Sequence, residues 1–473
     1  MHPVQTRNVR HFAVFALAAL LIGCGGAADD EKFDGDRISV LSFDAQLRVD
    51  PRLADASVPV LPAFRNAEWN NPGGFPTHAF YHLELDGLDG GFKVEFVTGN
   101  GGYKQMKAPP IVADGKVFAL GADLKISAAD MKSGAIIWQQ SAATLAKDTN
   151  FGWSRFWGSD QVDADLRDGF GGGVAYGRGR VIATTGFGEV MALNGDTGEI
   201  LWRVQNSVPF SNAPTVRGNQ VIAVSQDSRL QAFNIETGER IWEHLAITEE
   251  ATIIGATSVA VNEQIVVAGF NSGEVVALNS VNGAVLWTDS MTSRGTQVTP
   301  LSKLNAIVGR PVIDRDRVFV TSHGGRTAAI DIRSGERIWT TDVGSIETPW
   351  VMGDYLLLMS LEGQLVSLSR EQGRVRWLTQ LPSFEDEEDR DGRIRWAGPL
   401  LAGGQVILAS SDGRLASANP VSGEIIAYQD IEEPVNVTPV VADGTLFVLT
   451  DEGSLIGQCD TGGRRRHAVC ADR

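Results

Sequence analysis

Short apolar runs alternate with turn-forming residues along most of this chain, and the alternation itself repeats. Residues 192–202 read ALNGDTGEILW. The phrase returns at 232–242 (AFNIETGERIW), 277–287 (ALNSVNGAVLW) and 329–339 (AIDIRSGERIW), with weaker copies at 128–138 (AADMKSGAIIW) and 367–377 (SLSREQGRVRW). A further copy, 417–427 (SANPVSGEIIA), ends in Ala427 instead of Trp. Each copy fits a hairpin. The Ala-Leu-Asn stretch finishes one strand, and the Asx and Thr-Gly residues make the turn, because Asx side chains bond nearby backbone and Gly accepts positive φ. Glu-Ile-Leu-Trp then opens the next strand. Period-two alternation places Ile200 and Trp202 on one face and Leu201 on the other, so both faces are apolar, as a sheet sandwiched between two others requires.

From Trp138 to Ala427 the copies recur about every 48 residues, the interval of four-stranded propeller blades. Shorter β-branched runs lie between them. Examples are 214–216, 221–224 and 230 before one copy, and 311–313 and 318–320 before another. Seven whole blades are predicted from about residue 108 to residue 428. Three more inner strands follow at 439–441, 446–449 and 454–456, with no outer one. Residues 92–97 supply an outer strand with no inner ones. Joining them makes an eighth blade and leaves no open sheet edge in the ring. The predicted fold is therefore all-β: an eight-bladed β-propeller of four-stranded antiparallel blades over residues 61–458, its last blade closed by N- and C-terminal strands. Trp138, Trp202, Trp242, Trp287, Trp339 and Trp377 are expected to fill the wide outer gaps between blades.

The first residues differ from the rest. Arg7 and Arg10 precede an apolar run at 12–22, too short to span a bilayer, so 1–23 reads as an export signal. It ends Leu21-Ile22-Gly23-Cys24, which resembles a bacterial lipobox and implies cleavage before Cys24 and lipidation of that residue. Gly25 after the cysteine points to an outer-membrane address. Residues 24–60 are expected to form a lipidated tether and N-terminal extension, and 459–473 a polar, basic tail. The chain carries a net charge of −17, and 1–23 hold two arginines and no acid, so the mature chain is at −19. Such a chain has no attraction for nucleic acid or an anionic lipid surface, and membrane association rests on acyl chains. Cys459 and Cys470 are free to pair in an exported protein.

Candidate chemistry is thin. His78 and His82 have an i, i+4 spacing but no Cys, Asp or Glu ligand set beside them, and aromatic packing is the better reading. The acidic stretch 385–389 lacks the alternation of a calcium loop and reads as a solvated loop between blades six and seven. The Gly171-Gly172-Gly173 run is followed by neither Lys nor a helix and cradles no phosphate. The aromatic segment 151–157 (FGWSRFW) has the composition of a binding hot spot or of local packing. Apolar residues in the loops after the third and fourth blades, among them Ile253, Ile254, Leu304 and Ile307, suggest a docking surface or local packing.

The repeated AxDxxTGxxxW pattern resembles that of quinoprotein propellers. Enzymes of that class bind pyrroloquinoline quinone and calcium, with a stacking Trp and often a pair of adjacent cysteines. This chain has no such pair, so no cofactor, metal or catalytic residue is expected. With the lipobox, the acidic tether and eight such blades, the chain resembles the BamB family, in its alphaproteobacterial branch. Residues 308–313, 322–326 and 347–351 carry the latter likeness. The resemblance implies a non-catalytic lipoprotein scaffold on the periplasmic side of the outer membrane. Its implied partners are periplasmic domains of the β-barrel insertase and unfolded outer membrane protein clients. It implies docking through the loops after the third and fourth blades, here at Thr252, Ile253, Ile254, Leu304, Ile307 and Arg310. The family's Arg in the first loop and its acidic residues before Pro311 are missing here. A quinone-dependent periplasmic dehydrogenase and an envelope polysaccharide-binding propeller are the alternative readings.

Overall fold

Eight four-stranded antiparallel sheets are arranged in chain order in the computed structural model, which describes residues 47–53, 56–101, 105–142, 171–210, 212–247, 257–292 and 305–459. Blade 1 runs outward through Ile111–Ala113, Lys116–Leu120, Lys125–Asp130 and Ile136–Ser141. Blades 2 to 7 open on the inner strands Gly172–Gly177, Thr215–Arg217, Ala260–Val261, Val312–Asp314, Trp350–Met352 and Trp396–Ala402. They finish on the outer strands Ile200–Gln205, Arg240–Leu245, Val285–Ser290, Arg337–Thr341, Val375–Gln380 and Ile425–Asp430. Blade 8 joins Val440–Ala442, Thr445–Leu449 and Ser454–Cys459 to Gly90–Glu95, paired Gly90 to Cys459 through Glu95 to Ser454. The eight-bladed closure is as predicted. The closing strand spans 90–95 instead of the expected 92–97: its pairing begins at Gly90 with Cys459, and it ends at Glu95 because the N–H groups of Phe96 and Val97 leave the ladder for the carbonyl of Gly453.

The repeated turn forms as its residues dictate. The Asn194 side chain accepts the N–H groups of Asp196 and Thr197, and Asn234, Asn279, Asp331 and Asn419 repeat the arrangement. The following Gly198 sits at φ +73. Each repeat Trp then packs against the turn glycine of the next blade. Trp138 meets Gly198, Trp202 meets Gly238, Trp242 meets Gly283, Trp287 meets Gly335, Trp339 meets Gly373 and Trp377 meets Gly423. Five of the six indole N–H groups, those of Trp138, Trp202, Trp242, Trp287 and Trp339, donate to a carbonyl of that same neighbouring turn at 2.8–3.1 Å. Blade 7 has Ala427 at the Trp position. In blade 8 the closing strand's Phe92 takes the Trp role against Gly134 of blade 1.

One expectation for these strands is corrected. A β-bulge precedes every repeat Trp, shown by Ala192 pairing with Trp202 while Leu193 pairs with Ile200. The extra residue, Leu201, turns outward and is 44% exposed, as are its counterparts Ile137, Ile241, Leu286 and Ile338 at similar levels. The outer strand therefore has one buried face, not two.

Residues 66–86 form no strand of a blade, yet they visit every blade. Asn66 bonds Val441 and Asp443 of blade 8, Trp69 pairs with Val112 of blade 1, and Asn70 accepts the Tyr176 N–H of blade 2. Asn71 accepts the Val216 N–H of blade 3, Pro76 that of Val261 and Thr77 that of Ile313. The Trp350 indole of blade 6 donates to Tyr81, Leu83 exchanges bonds with Leu401 and Gly403 of blade 7, and Asp86 returns to Gly444 of blade 8. This strap makes a full circuit at the C-terminal ends of the inner strands. Its aromatic side chains stack inward, with Trp69 and Phe80 at 4.4 Å and Phe80 and Trp350 at 5.5 Å. The strap closes the propeller axis on the side opposite the loops that connect one blade to the next.

Candidate functional site

The residues expected to matter fall in three places. Cys24, Thr252, Ile253, Ile254, Leu304 and the aromatic segment 151–157 lie outside the described residues. Cys459 is buried and disulfide-bonded; Cys470, its expected partner, lies outside the described residues. His78 and His82 bind backbone, not metal. The His78 ring is held by the carbonyl of Pro311 at 2.7 Å. The His82 ring lies between the Leu61 carbonyl and the Gly404 N–H, so its nitrogens are already occupied. The acidic stretch is exposed, as expected, and forms a small hairpin of Phe384–Asp386 and Asp391–Arg393.

Ile307 and Arg310, expected on a docking surface, are inside the protein. Ile307 is 1% exposed, packs with Ile313, Val267 and Met291, and presses on Gly269. An apolar side chain between two sheets removes more area from water there than in a loop. Arg310 is 7% exposed and lines the axis. What the surface does present at the loop after blade 3 is a pair of aliphatic residues, Leu245 and Ile247, exposed at 57% and 61%. Ile247 is fixed there by its N–H, which donates to the Glu274 carboxylate of blade 4 at 3.2 Å.

The axis holds a second constellation, built from the residues that enter the inner strands. Arg310 precedes the inner strand of blade 5, Glu347 and Thr348 that of blade 6, Thr438 that of blade 8 and Ser258 that of blade 4. The Arg310 guanidinium donates through Nε to Ser258 Oγ at 3.1 Å and through Nη1 to Thr348 Oγ1 at 3.3 Å. The Glu347 carboxylate accepts from the Gly398 N–H at 3.4 Å and from Thr438 Oγ1 at 3.3 Å. His78 of the strap lies beneath, its Nε2 at 3.5 Å from Ser258 Oγ. Burial lifts the Glu347 carboxyl to about 7, against the opposing pull of the Gly398 N–H and Arg310. Burial, and then the Arg310 charge, hold His78 down to about 3, so this imidazole is neutral. Burial also lowers Arg310, to about 10, which leaves it charged at neutral pH. The sequence singles out Arg310 and His78 for other roles and does not bring this group together. The signal available was positional: a polar or small residue just before a Pro at the start of several inner strands, as in Arg310-Pro311, Gly398-Pro399 and Thr438-Pro439.

A family model described as outer membrane protein assembly factor BamB matches residues 152–379 and 385–469. The chain is 28% identical to outer membrane protein assembly factor BamB of Bordetella pertussis over 352 residues, covering 73% of this chain and 81% of that protein. Among solved structures it is similar to BamB from Moraxella catarrhalis, with a TM-score of 0.61 at 17% identity over 79% of this chain and all of that one. It is also similar to the quinohemoprotein alcohol dehydrogenase of Comamonas testosteroni, with a TM-score of 0.62 at 14% identity, covering 90% and 84% of the two chains. At such identities the structural likenesses speak for the fold alone.

Proposed function

Because the chain belongs to the BamB family of outer membrane protein assembly factors, we propose that it is a non-catalytic scaffold that holds the periplasmic domains of the β-barrel insertase. Its place in outer membrane protein assembly follows from that membership. Acyl chains on Cys24 anchor the propeller to the inner face of the outer membrane. Among the described residues no helix is long and apolar enough to cross a bilayer. The loops after blades 3 and 4, with Thr252, Ile253, Ile254 and Leu304, dock the insertase. Unfolded barrel clients pair with the free outer edges of the blades by strand addition.

The observation that carries the docking reading is the exposed pair Leu245 and Ile247, held at the mouth of the loop after blade 3. Neighbouring exposed aliphatics of this kind mark interaction surfaces more often than isolated ones do. Ile307 and Arg310 support these loops from within and do not touch the partner. Recovery of the insertase with the lipidated protein from envelope membranes tests the reading. Leu245→Asp with Ile247→Asp is expected to reduce that recovery tenfold or more while the thermal midpoint stays within a few degrees of wild type. Undiminished recovery would place the docking surface elsewhere.

The quinone-dependent dehydrogenase reading shares the fold but not the donors. A calcium ion at the axis needs several oxygen ligands, mostly carboxylate and carbonyl. The axial group offers one carboxylate, Glu347, and sets the Arg310 cation close by. That set does not fit a calcium–quinone pair. Cofactor absorbance from purified protein would reinstate the enzyme reading.

A further inference from the structure

We propose that Arg310, Ser258, Thr348 and Glu347 form a binding site for a small oxyanion, a carboxylate or a phosphate, at the blind end of the propeller axis. The other deeply buried arginines show what Arg310 lacks. Arg370 meets Asp314 at 2.8 Å and Arg317 meets Glu371 at 2.6 Å. Arg310 is as buried as these, yet its two hydrogen bonds go to hydroxyls, and no carboxylate among the described residues lies within ion-pair distance. The Glu347 carboxyl acts on it only through space, from beyond that distance, and a buried cation that is not paired directly is expensive to hold. Its third nitrogen, Nη2, has no hydrogen-bond partner among the described residues and is left to bind a ligand oxygen.

The surroundings suit an anion. The strap floors the space with neutral His78, which adds no competing charge. The way in is from the interblade-loop side, where Glu347 and Thr348 are only partly buried. Thr348 is a hydroxyl donor to an incoming oxygen. Glu347 in its acid form is a second donor, and the Gly398 and Thr438 bonds hold its carboxyl in place. A guanidinium edge with hydroxyl and carboxylic donors recognises a carboxylate or a phosphate through charge-assisted hydrogen bonds. This inference does not depend on the scaffold reading.

Thermal unfolding of the purified protein, titrated with succinate or inorganic phosphate at ionic strength matched with sodium chloride, tests it. A saturable rise in midpoint with one of the two anions is expected, because a ligand that binds only the folded state stabilises it by mass action. Succinate and phosphate arms tell a carboxylate site from a phosphate site. Arg310→Gln is expected to weaken the apparent affinity tenfold or more while leaving the anion-free midpoint unchanged or higher, since it removes a buried charge that no carboxylate pairs directly and Gln can still bond a hydroxyl. Should Arg310→Gln not fold, Arg310→Lys serves, with the same loss expected because a single ammonium nitrogen cannot reproduce the separate, planar donors that reach Ser258, Thr348 and the anion. The proposal is overturned if neither anion acts beyond chloride or if the variants bind as wild type does. It is also overturned if Arg310→Gln and Glu347→Gln each lower the anion-free midpoint and together lower it no further. That last result would mark Arg310 and Glu347 as a self-sufficient, water-bridged pair.

Discussion

At the residue scale the unit of cohesion is one indole and one glycine from consecutive blades. A Cβ built on Gly283 would stand 2.8 Å from the Trp242 ring, and the residue also sits at φ +71. Gly115 has the same left-handed backbone, at φ +70, but open space where its Cβ would be. The pair separates two penalties. Gly115→Ala is expected to lower stability by about 1–2 kcal/mol, the backbone penalty alone. Gly283→Ala adds overpacking against the indole, for a total of about 2–4 kcal/mol. Chemical denaturation of both variants checks this, and equal losses would show that the Trp–Gly contact gives way freely. The sequence announces both partners, because the Trp and the Thr-Gly turn stand in one phrase. What it conceals is that the Trp of one copy meets the Gly of the next, a contact about 45 residues away that no local pattern carries.

At the element scale, what could be read in advance was what local chemistry controls. Asx turns and β-branched inner strands follow from residues close in the chain, and the split eighth blade follows from counting them, since three inner strands are left over at one end and one outer strand at the other. The bulge before each Trp does not, since alternation of side chains cannot reveal an extra residue in the backbone ladder, and strict alternation therefore puts Leu201 on a buried face where the structure exposes it. The strap was equally hidden: its path is set by bonds to eight separate blades, from Asn66 with Val441 to Asp86 with Gly444. The axial group is hidden for the same cause, as Arg310 and Ser258 meet only when blades 4 and 5 pack side by side, 52 residues apart in the chain. The strap has a measurable pH dependence. His78 is held at about 3 in the fold against an ordinary value of 6.5, so it contributes stability that is complete above 6.5 and is lost as pH falls toward 3. At pH 4.5 about two units of that difference have been traversed, worth about 2–3 kcal/mol. Glu347 has the opposite sign. Its raised value favours the folded state in acid, and that contribution fades as pH rises from about 4.5 through about 7. His78→Asn accepts the same backbone, φ +60, without the imidazole. Its stability is expected to fall less than wild type between pH 7.5 and 4.5, with Glu347→Gln shifting the slope the other way. Parallel pH profiles for wild type and His78→Asn would show that the strap does not feel this proton.

At the scale of the whole molecule the question is what makes a string of blades behave as one body. A repeat array unfolds piecewise when each unit depends only on its neighbours. Here the ring is closed at one seam by two devices. The strand Gly90–Glu95 completes blade 8 and sets Phe92 against Gly134 of blade 1. The strap crosses the same seam, from Asn66 on blade 8 to Trp69 on blade 1, and Arg65 ties Asp86 to Asp443 beside it. Gly91 is the tightest point of the seam. It adopts φ +141, and a Cβ there would lie 1.7 Å from the Gly457 carbonyl oxygen, a backbone atom that cannot step aside. Gly91→Val should therefore unseat the closing strand. The free edge of blade 8 and the socket at Gly134 are then open to water, and stability falls by about 2–4 kcal/mol. If closure makes the ring cooperative, the loss appears as one transition at a lower midpoint, sensed equally by Trp287 on the opposite blade and by protease attack at residues 87–101. If the strap alone holds the ring, cleavage at 87–101 comes early and the Trp287 signal melts at the wild-type temperature. The first outcome is expected, because every blade other than the eighth draws its outer strand from its own stretch of chain. Blade 8 alone depends on two distant segments, so the energy of its last strand belongs to the ring as a whole.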